Sequence, residues 1–290
     1  LCDCVAIVTP HPTHLRITVD AFETGHHVMC DKPIGITAGE CDRMLDAWRA
    51  SGKQFSTMYS MRTTSCNRVV KDWLASGRLG ALRRVEMVST NWLRTQTYYD
   101  AQSWRGTWAG EGAGLLLNQA PHNLDLLYWW LGEADAIQAS VGNRLHDIET
   151  EDEVDATLFM KGGFPVHYYA STGEAPGRDY VEIVGDHGTL IRENNQLRFR
   201  ELSSPLIETI QGSEEMFAVI DSKDVPVEVP ERERGHKVVF ANLFDVILGV
   251  TPPDQLKAPG EDGPHAVEWA NAMLLSSSRG ERVHLPLDRA

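Results

Sequence analysis

The sequence is poor in the features that mark several common classes of protein. No uninterrupted apolar stretch among its 290 residues approaches the ~18 that a membrane-crossing helix needs. A basic excess is missing too: the formal net charge is −14, and binding nucleic-acid phosphates needs a positive face. Cysteines are few and odd in number (Cys2, Cys4, Cys30, Cys41 and Cys66), with no C-x-x-C pair. They read as small buried hydrophobes in a reducing compartment rather than as disulfide partners or metal ligands, so the cytoplasm is the expected location. There is no internal repeat and no low-complexity tract. A G-x-G-x-x-G turn is absent as well, since the only glycines before Gly39 are Gly25 and Gly35. The longest acidic concentration, Glu149-Thr150-Glu151-Asp152-Glu153, borders a strand-like pattern and reads as a solvated edge rather than a metal site.

What is present is the composition of a soluble globular chain, 42% hydrophobic and 23% charged, long enough for two ordinary domains. "CVAIVTP" (Cys4 to Pro10) has the apolar, β-branched pattern of a strand buried on both faces of a parallel sheet. A helix is expected from about 13 to 24, with Leu15, Val19 and Phe22 on one side and Gly25 as its stop. "HHVMC" is the next strand, a helix follows over 37–51, and "KQFSTMYS" is a third strand. Strand, helix, strand, helix, strand is the doubly wound α/β pattern. The period then changes. Beyond a helix around 68–76 and a strand over 82–92, a long apolar helix is expected over 115–131. Strand-like segments follow at 136–141, 155–159, 166–171, 180–184 and 189–192, a succession that predicts a mostly antiparallel sheet. Residues 201–235, rich in Glu, Ser and Pro, read as irregular edge structure, and two helices near 236–249 and 264–277 close the chain. Two domains join near Met61.

Four segments resemble one family. "VAIVTPHPTH" looks like a strand and loop running past a cofactor. "CDKP" looks like an E-K-P signature with Asp31 in place of Glu. "GEGAGLLLNQAPHNLDLLYWWLG" looks like a glycine-rich helix bearing a catalytic histidine, and "GRDYVEIVGDHGTL" like a strand-turn-strand of a substrate domain. Together they resemble the glucose-fructose oxidoreductase / inositol dehydrogenase / rhizopine-catabolism (Gfo/Idh/MocA) group of NAD(P)-dependent oxidoreductases. The resemblance implies an α/β fold. Residues 1–61 would be the C-terminal part of a dinucleotide-binding Rossmann domain, a doubly wound parallel sheet truncated by the missing G-x-G-x-x-G segment. Residues 62–290 would be an α+β substrate-binding and oligomerisation domain with a large, mostly antiparallel open sheet. It further implies NAD or NADP as cofactor, with Thr9, Pro10, His14, Asp31, Lys32 and Pro33 around it. A small carbohydrate or polyol substrate and a homo-oligomer formed through the open sheet are also implied, with no nucleic-acid or membrane partner.

The residues themselves carry chemistry. Oxidising a secondary alcohol needs a base for the hydroxyl proton and an acceptor for the hydride. Lys32 stands at the carboxyl end of a strand, where ligands of doubly wound sheets bind, and Pro33 keeps it extended. On one helix Asn118, His122, Asp125 and Trp129 fall in a single stripe, and polar groups on a buried helix need partners or a ligand. His122 is the natural proton carrier, the competing reading being a core histidine bonded to backbone. Asp125 would reach its ring or the substrate hydroxyl, and Pro121 would kink the helix and free a carbonyl near Leu117. Many family members have an aspartate where this chain has Asn118, which can position a hydroxyl but not take its proton. Tyr98, Trp104, Arg105 and Trp108, in an aromatic stretch before the glycine-rich segment, suit the faces and hydroxyls of a sugar, or else pack under a loop. His11 and His14 form an H-x-x-H pair whose spacing does not suit a helical zinc site, so no metal is expected. Catalysis is therefore assigned to Lys32 and His122, and substrate contact to Asn118, Asp125, Tyr98, Trp104, Arg105 and Trp108. An NAD-dependent glycosidase and an inactive binding or oligomerisation module are the alternatives. Titration with NADH separates the last of these from an enzyme: saturable binding is expected, and no binding would favour the inactive module.

Overall fold

A computed structural model describes residues 2–289. The chain opens with β1 (Cys4–Ile7), α1 (His14–Glu23), β2 (His27–Cys30), α2 (Ala38–Ser51) and β3 (Phe55–Thr57). The three strands form a parallel sheet in the order β1-β2-β3, as the alternation of strand and helix predicts. The Thr37 side chain accepts the Glu40 N–H at the start of α2, and Gly52, at φ 66°, ends it. β1 departs from expectation: it is shorter, and Ala6 and Val8 are exposed rather than buried. Among the described residues it pairs only with β2.

The second part contains α3 (Ser65–Ala75), β4 (Leu82–Ser89), α4 (Gln96–Asp100), α5 (Trp108–Glu111), α6 (Leu115–Asn118) and α7 (Pro121–Leu131). Next come β5 (Ala134–Gly142), β6 (Glu153–Met160), β7 (Pro165–Ser171), β8 (Asp179–Gly185), β9 (Gly188–Glu193) and β10 (Gln196–Leu202). The chain closes with α8 (Leu206–Gly212), β11 (Ser222–Val225), α9 (His236–Ile247), α10 (Gly263–Arg279) and β12 (Val283–His284). The sheet has the order β11-β10-β9-β8-β4-β7-β6-β5-β12, antiparallel throughout except for β4 beside β7. β10 lies outside the expected strands because charged residues dilute its alternation. Its inward Phe199 meets the Trp73 ring edge-on at 5.1 Å. Along β4, Val85, Met87 and Ser89 face the helices, and Asn123 of α7 donates to Ser89 Oγ at 2.6 Å. No helix among the described residues is long and apolar enough to cross a membrane.

Two expectations need correction. The apolar helix over 115–131 is two helices, because Pro121 lacks an N–H and sits at the first position of α7. The acidic run is not a solvated edge either: Thr150, Glu151 and Asp152 are all buried. Glu151 accepts the N–H groups of Gly114 at 2.9 Å and Leu116 at 2.8 Å, supplying the donors at the start of α6 with an acceptor. Asp152 accepts three N–H groups, from Arg144, Leu145 and His146, as well as the His146 ring. The glycines of the preceding segment make this possible. A Cβ at Gly114 would stand 2.1 Å from the Glu151 carbonyl oxygen, and Gly112, at φ 80°, leaves room for Ile36.

The junction expected near Met61 does not divide the core. Residues 258–263 return to the first sheet: Ala258 O accepts Thr57 N at 3.0 Å and Ser56 Oγ at 2.8 Å, and Tyr59 OH donates to Gly263 O at 3.2 Å. Just past the junction, Arg62 makes a two-pronged pair with Asp125 of α7 and a further bond to Asp262. Arg62 and Asp125 are buried, Asp125 1% exposed, and Asp262 is partly exposed, so removing either partner of the inner pair leaves an uncompensated buried charge.

Burial pushes the Glu151 carboxyl up to about 7, against the pull of the Gly114 and Leu116 N–H groups. Its folded value lies above its ordinary one of 4.5, so the stability it contributes is full below pH 4.5 and is lost as pH rises through 7. Unfolding measured against pH should show the advantage of wild type over Glu151→Gln shrinking by about 3 kcal/mol across that window. A pH-independent difference would contradict this.

Candidate active site

The carboxyl ends of β1, β2 and β3 open onto two loops. The first, after β1, holds Thr9, Pro10 and His11, and the second, after β2, holds Asp31, Lys32 and Pro33 joined by a cis Lys32–Pro33 peptide. His14 ties them together: one ring nitrogen faces Pro33 O at 2.8 Å and the other Thr9 O at 2.7 Å. Both nitrogens are thereby engaged, so His14 shapes the loops rather than presenting a free nitrogen to a ligand. Thr9 and Pro10 are exposed, and the Asp31 carboxylate accepts the Lys32 N–H at 2.9 Å.

Lys32 reaches out of the first sheet to the second part of the molecule. Its Nζ donates to the Asn118 carbonyl oxygen at 2.6 Å, at the last residue of α6. The break before Pro121 thus leaves a carbonyl next to Leu117, that of Asn118, to accept from Lys32. His122 follows one turn on, at the start of α7, with its ring edge-on to Tyr59 at 6.2 Å. Its Nδ1 is buried without a hydrogen-bond partner. Burial, then the charges of Lys32 and His236, push the His122 imidazole down to about 3, so it is neutral. Burial also lowers the Lys32 ammonium, while the carboxylates of Asp31 and Glu111 pull it back up. An amine from the end of one sheet and an imidazole from a helix under the other therefore share one electrostatic environment.

Other expected residues lie elsewhere. Asp125 does not reach His122 or an open pocket, because both its oxygens are taken by Arg62. With Trp129, whose ring lies 5.6 Å from the same guanidinium, it makes the lower half of the polar stripe structural. Arg105 lies between the rings of Tyr98 and Trp104, 4.3 and 4.4 Å from their centroids, and donates to Tyr98 OH. This stack is within electrostatic reach of Glu111. Trp108 lies apart. It is half exposed and lines a cavity of about 560 Å³ with Val141, Asn143, Asn271 and Leu274, which borders neither Lys32 nor His122.

Sequence reasoning missed Glu111. It is 1% exposed, accepts the Gly106 N–H at 2.6 Å and is bonded by the Asn118 side chain. Its backbone carbonyl faces His11 Nδ1 at 3.2 Å. A glutamate inside an otherwise glycine-rich and apolar segment was the available signal. Burial pushes His11 down to about 4, and with that contact it serves as a neutral strut between the two parts. A nicotinamide cofactor fits this arrangement. The crest of a parallel sheet, the exposed Thr9-Pro10 loop and Lys32 would hold it, and the partnerless His122 Nδ1 marks a polar position awaiting a ligand.

Comparison with known proteins agrees with this geometry. Residues 1–59 match the model of an oxidoreductase family with an NAD-binding Rossmann fold, and residues 67–191 match the GFO/IDH/MocA C-terminal domain. The 1,5-anhydro-D-fructose reductase of Ensifer adhaerens is 22% identical over 285 residues, 98% of this chain and 80% of that protein. Levoglucosan dehydrogenase of Pseudarthrobacter phenanthrenivorans is 27% identical over 161 residues, 55% of this chain and 41% of that one. Among solved structures, the WlbA dehydrogenase of Chromobacterium violaceum, crystallised with NADH and UDP-GlcNAcA, superposes with a TM-score of 0.83. It is 26% identical and covers 99% of this chain and 79% of its own. Both halves of the fold, their order in the chain and these relatives agree: the protein belongs to the GFO/IDH/MocA family of oxidoreductases with an NAD-binding Rossmann fold.

Proposed function

We propose that this chain transfers a hydride between nicotinamide and a secondary alcohol of a sugar, glycoside or cyclic polyol, with Lys32 moving the hydroxyl proton. The single observation that carries this reading is the half-buried Lys32 amine, bonded to Asn118 O one turn from His122, whose Nδ1 is buried without a partner. The substrate class follows the relatives, which act on 1,5-anhydro-D-fructose and levoglucosan or bind UDP-GlcNAcA. All three are reductases or dehydrogenases, which favours net hydride transfer over glycoside cleavage or an inactive module.

When bound, NAD accepts or returns the hydride. The chain does the rest. Burial makes the Lys32 amine easier to deprotonate than a surface lysine, so it can take the hydroxyl proton and later return it. With its imidazole pushed down to about 3 by burial, His122 is too weak a base to hold that proton near pH 7. Its role is to hydrogen-bond the substrate oxygen from the half-buried edge of its neutral ring. The Tyr98–Arg105–Trp104 stack offers ring faces and guanidinium donors at the edge of the site. Five free cysteines suit a reducing compartment such as the cytoplasm.

Self-association uses the face of the nine-stranded sheet turned away from the helices. There Arg84, Glu86, Tyr169, Tyr180 and Glu182 form a mixed aromatic and charged surface. Light scattering on the eluted protein should return a multiple of the 32.3 kDa chain mass, and a sharp monomer peak would count against it.

For alcohol oxidation, kcat/KM should rise with pH along one limb whose midpoint lies below the ordinary lysine value of 10.5. No break belonging to His122 is expected between pH 5 and 7. Lys32→Ala should cost about 10²–10⁴ in kcat with an unchanged circular dichroism spectrum. Normal turnover in that variant would end the proposal.

A further inference from the structure

Glu111 has no part in the chemistry derived so far, yet it is among the most deeply buried acids and stands beside the site. Its Oε2 accepts the Gly106 N–H at 2.6 Å, and its Oε1 accepts from Asn118 Nδ2. Asn118 in turn gives its backbone oxygen to Lys32. A carboxylate only accepts hydrogen bonds, so the end of the Asn118 amide that faces Glu111 must be its NH2. The other end, Oδ1, has no hydrogen bond from any described residue and is left for a ligand. Burial raises the Glu111 carboxyl above its ordinary value, and the hydrogen bonds from Gly106 and Asn118, then the charges of Arg105 and Lys32, pull it back toward the ionised form.

We propose that Glu111 is a positioning residue that locks the Asn118 amide, so that its oxygen accepts a hydrogen bond from a substrate hydroxyl beside the reacting carbon. The inference rests on the functional reading above and deepens it. The reacting hydroxyl gives its one proton to Lys32, so the donor that Asn118 meets belongs to a neighbouring carbon. The preferred substrates are therefore vicinal diols. This chain holds the acid one hydrogen bond away from the Asn118 oxygen and passes its directing effect through an amide.

The lock predicts a specific inversion. In Glu111→Gln the new amide must give its carbonyl to the Gly106 N–H, which leaves its NH2 facing Asn118. The Asn118 amide then turns over and offers a donor where an acceptor stood. Exchanging the two residues in Glu111→Gln/Asn118→Asp restores an acceptor, because the aspartate takes the Gln NH2 with one oxygen and presents the other.

The test uses NAD⁺ with levoglucosan, D-glucose and myo-inositol as probes, alongside thermal melts and NMR of the side-chain amides. Glu111→Gln should lose about tenfold or more in kcat/KM, and the exchanged pair should recover to within about fivefold of wild type. Wild-type activity in Glu111→Gln, or losses that simply multiply in the double variant, would overturn the lock. If Glu111→Gln alone does not fold, the double variant decides. Recovered turnover supports the proposal, and an inactive or unfolded double variant overturns it. If wild type turns over none of the probes, the functional reading fails, and the lock is still tested without substrate. The Asn118 NH2 signals, assigned by their loss in Asn118→Asp, should lie downfield in wild type and move upfield in Glu111→Gln, as a charge-assisted bond requires. Signals unchanged between the two proteins would refute it.

Discussion

The hydrogen bond from Lys32 to the carbonyl oxygen of Asn118 spans 86 positions in sequence and joins the end of a parallel sheet to a break in a buried helix. Much of the site's geometry depends on both ends of that bond. The lysine is brought there because β2 runs out at Cys30 and His14 clamps the following loop against the one after β1. The carbonyl is free because Pro121 cannot continue α6 and starts a new helix instead. An ammonium group taken from water needs such a partner, and a backbone carbonyl supplies one without neutralising it.

Around that bond the chain spends its charged groups in pairs or on backbone donors. Glu151 accepts N–H groups at the start of α6, Glu111 accepts that of Gly106 in the loop before α5, and Arg62 ties α7 to the segment before α10 through Asp125 and Asp262. These buried acids keep the start of α6 and α7 in place, and with them Asn118 and His122. The division near Met61 is consequently weak in space. The C-terminal residues 258–263 lie against β3, and one apolar core runs through both parts.

Lys32 and His122 were legible as candidates because their neighbours are informative: an apolar strand ends at one, and a proline and a leucine-rich run surround the other. Asp125 was misread because the pattern that singled it out, together with Asn118, is local. Helical spacing puts both on one stripe, but whether a stripe meets a cavity or an arginine depends on Arg62, which is remote in sequence. The acidic run at 149–153 was misread because composition alone cannot show that its carboxylates face the N–H groups of another segment.

The alternation of apolar and polar residues, together with the glycines and prolines between them, was enough to determine the two kinds of sheet, their order and most helix positions, since these follow from local periodicity and turn chemistry. Tertiary structure alone decided which charges are partnered. It sent Asp125 to Arg62, Glu151 to the start of α6 and Glu111 to Asn118, because long-range packing, not spacing, sets which donor a buried carboxylate finds. Neutral His122 is likewise a product of burial and of the positive charge of Lys32, neither of which is written in the residues beside it.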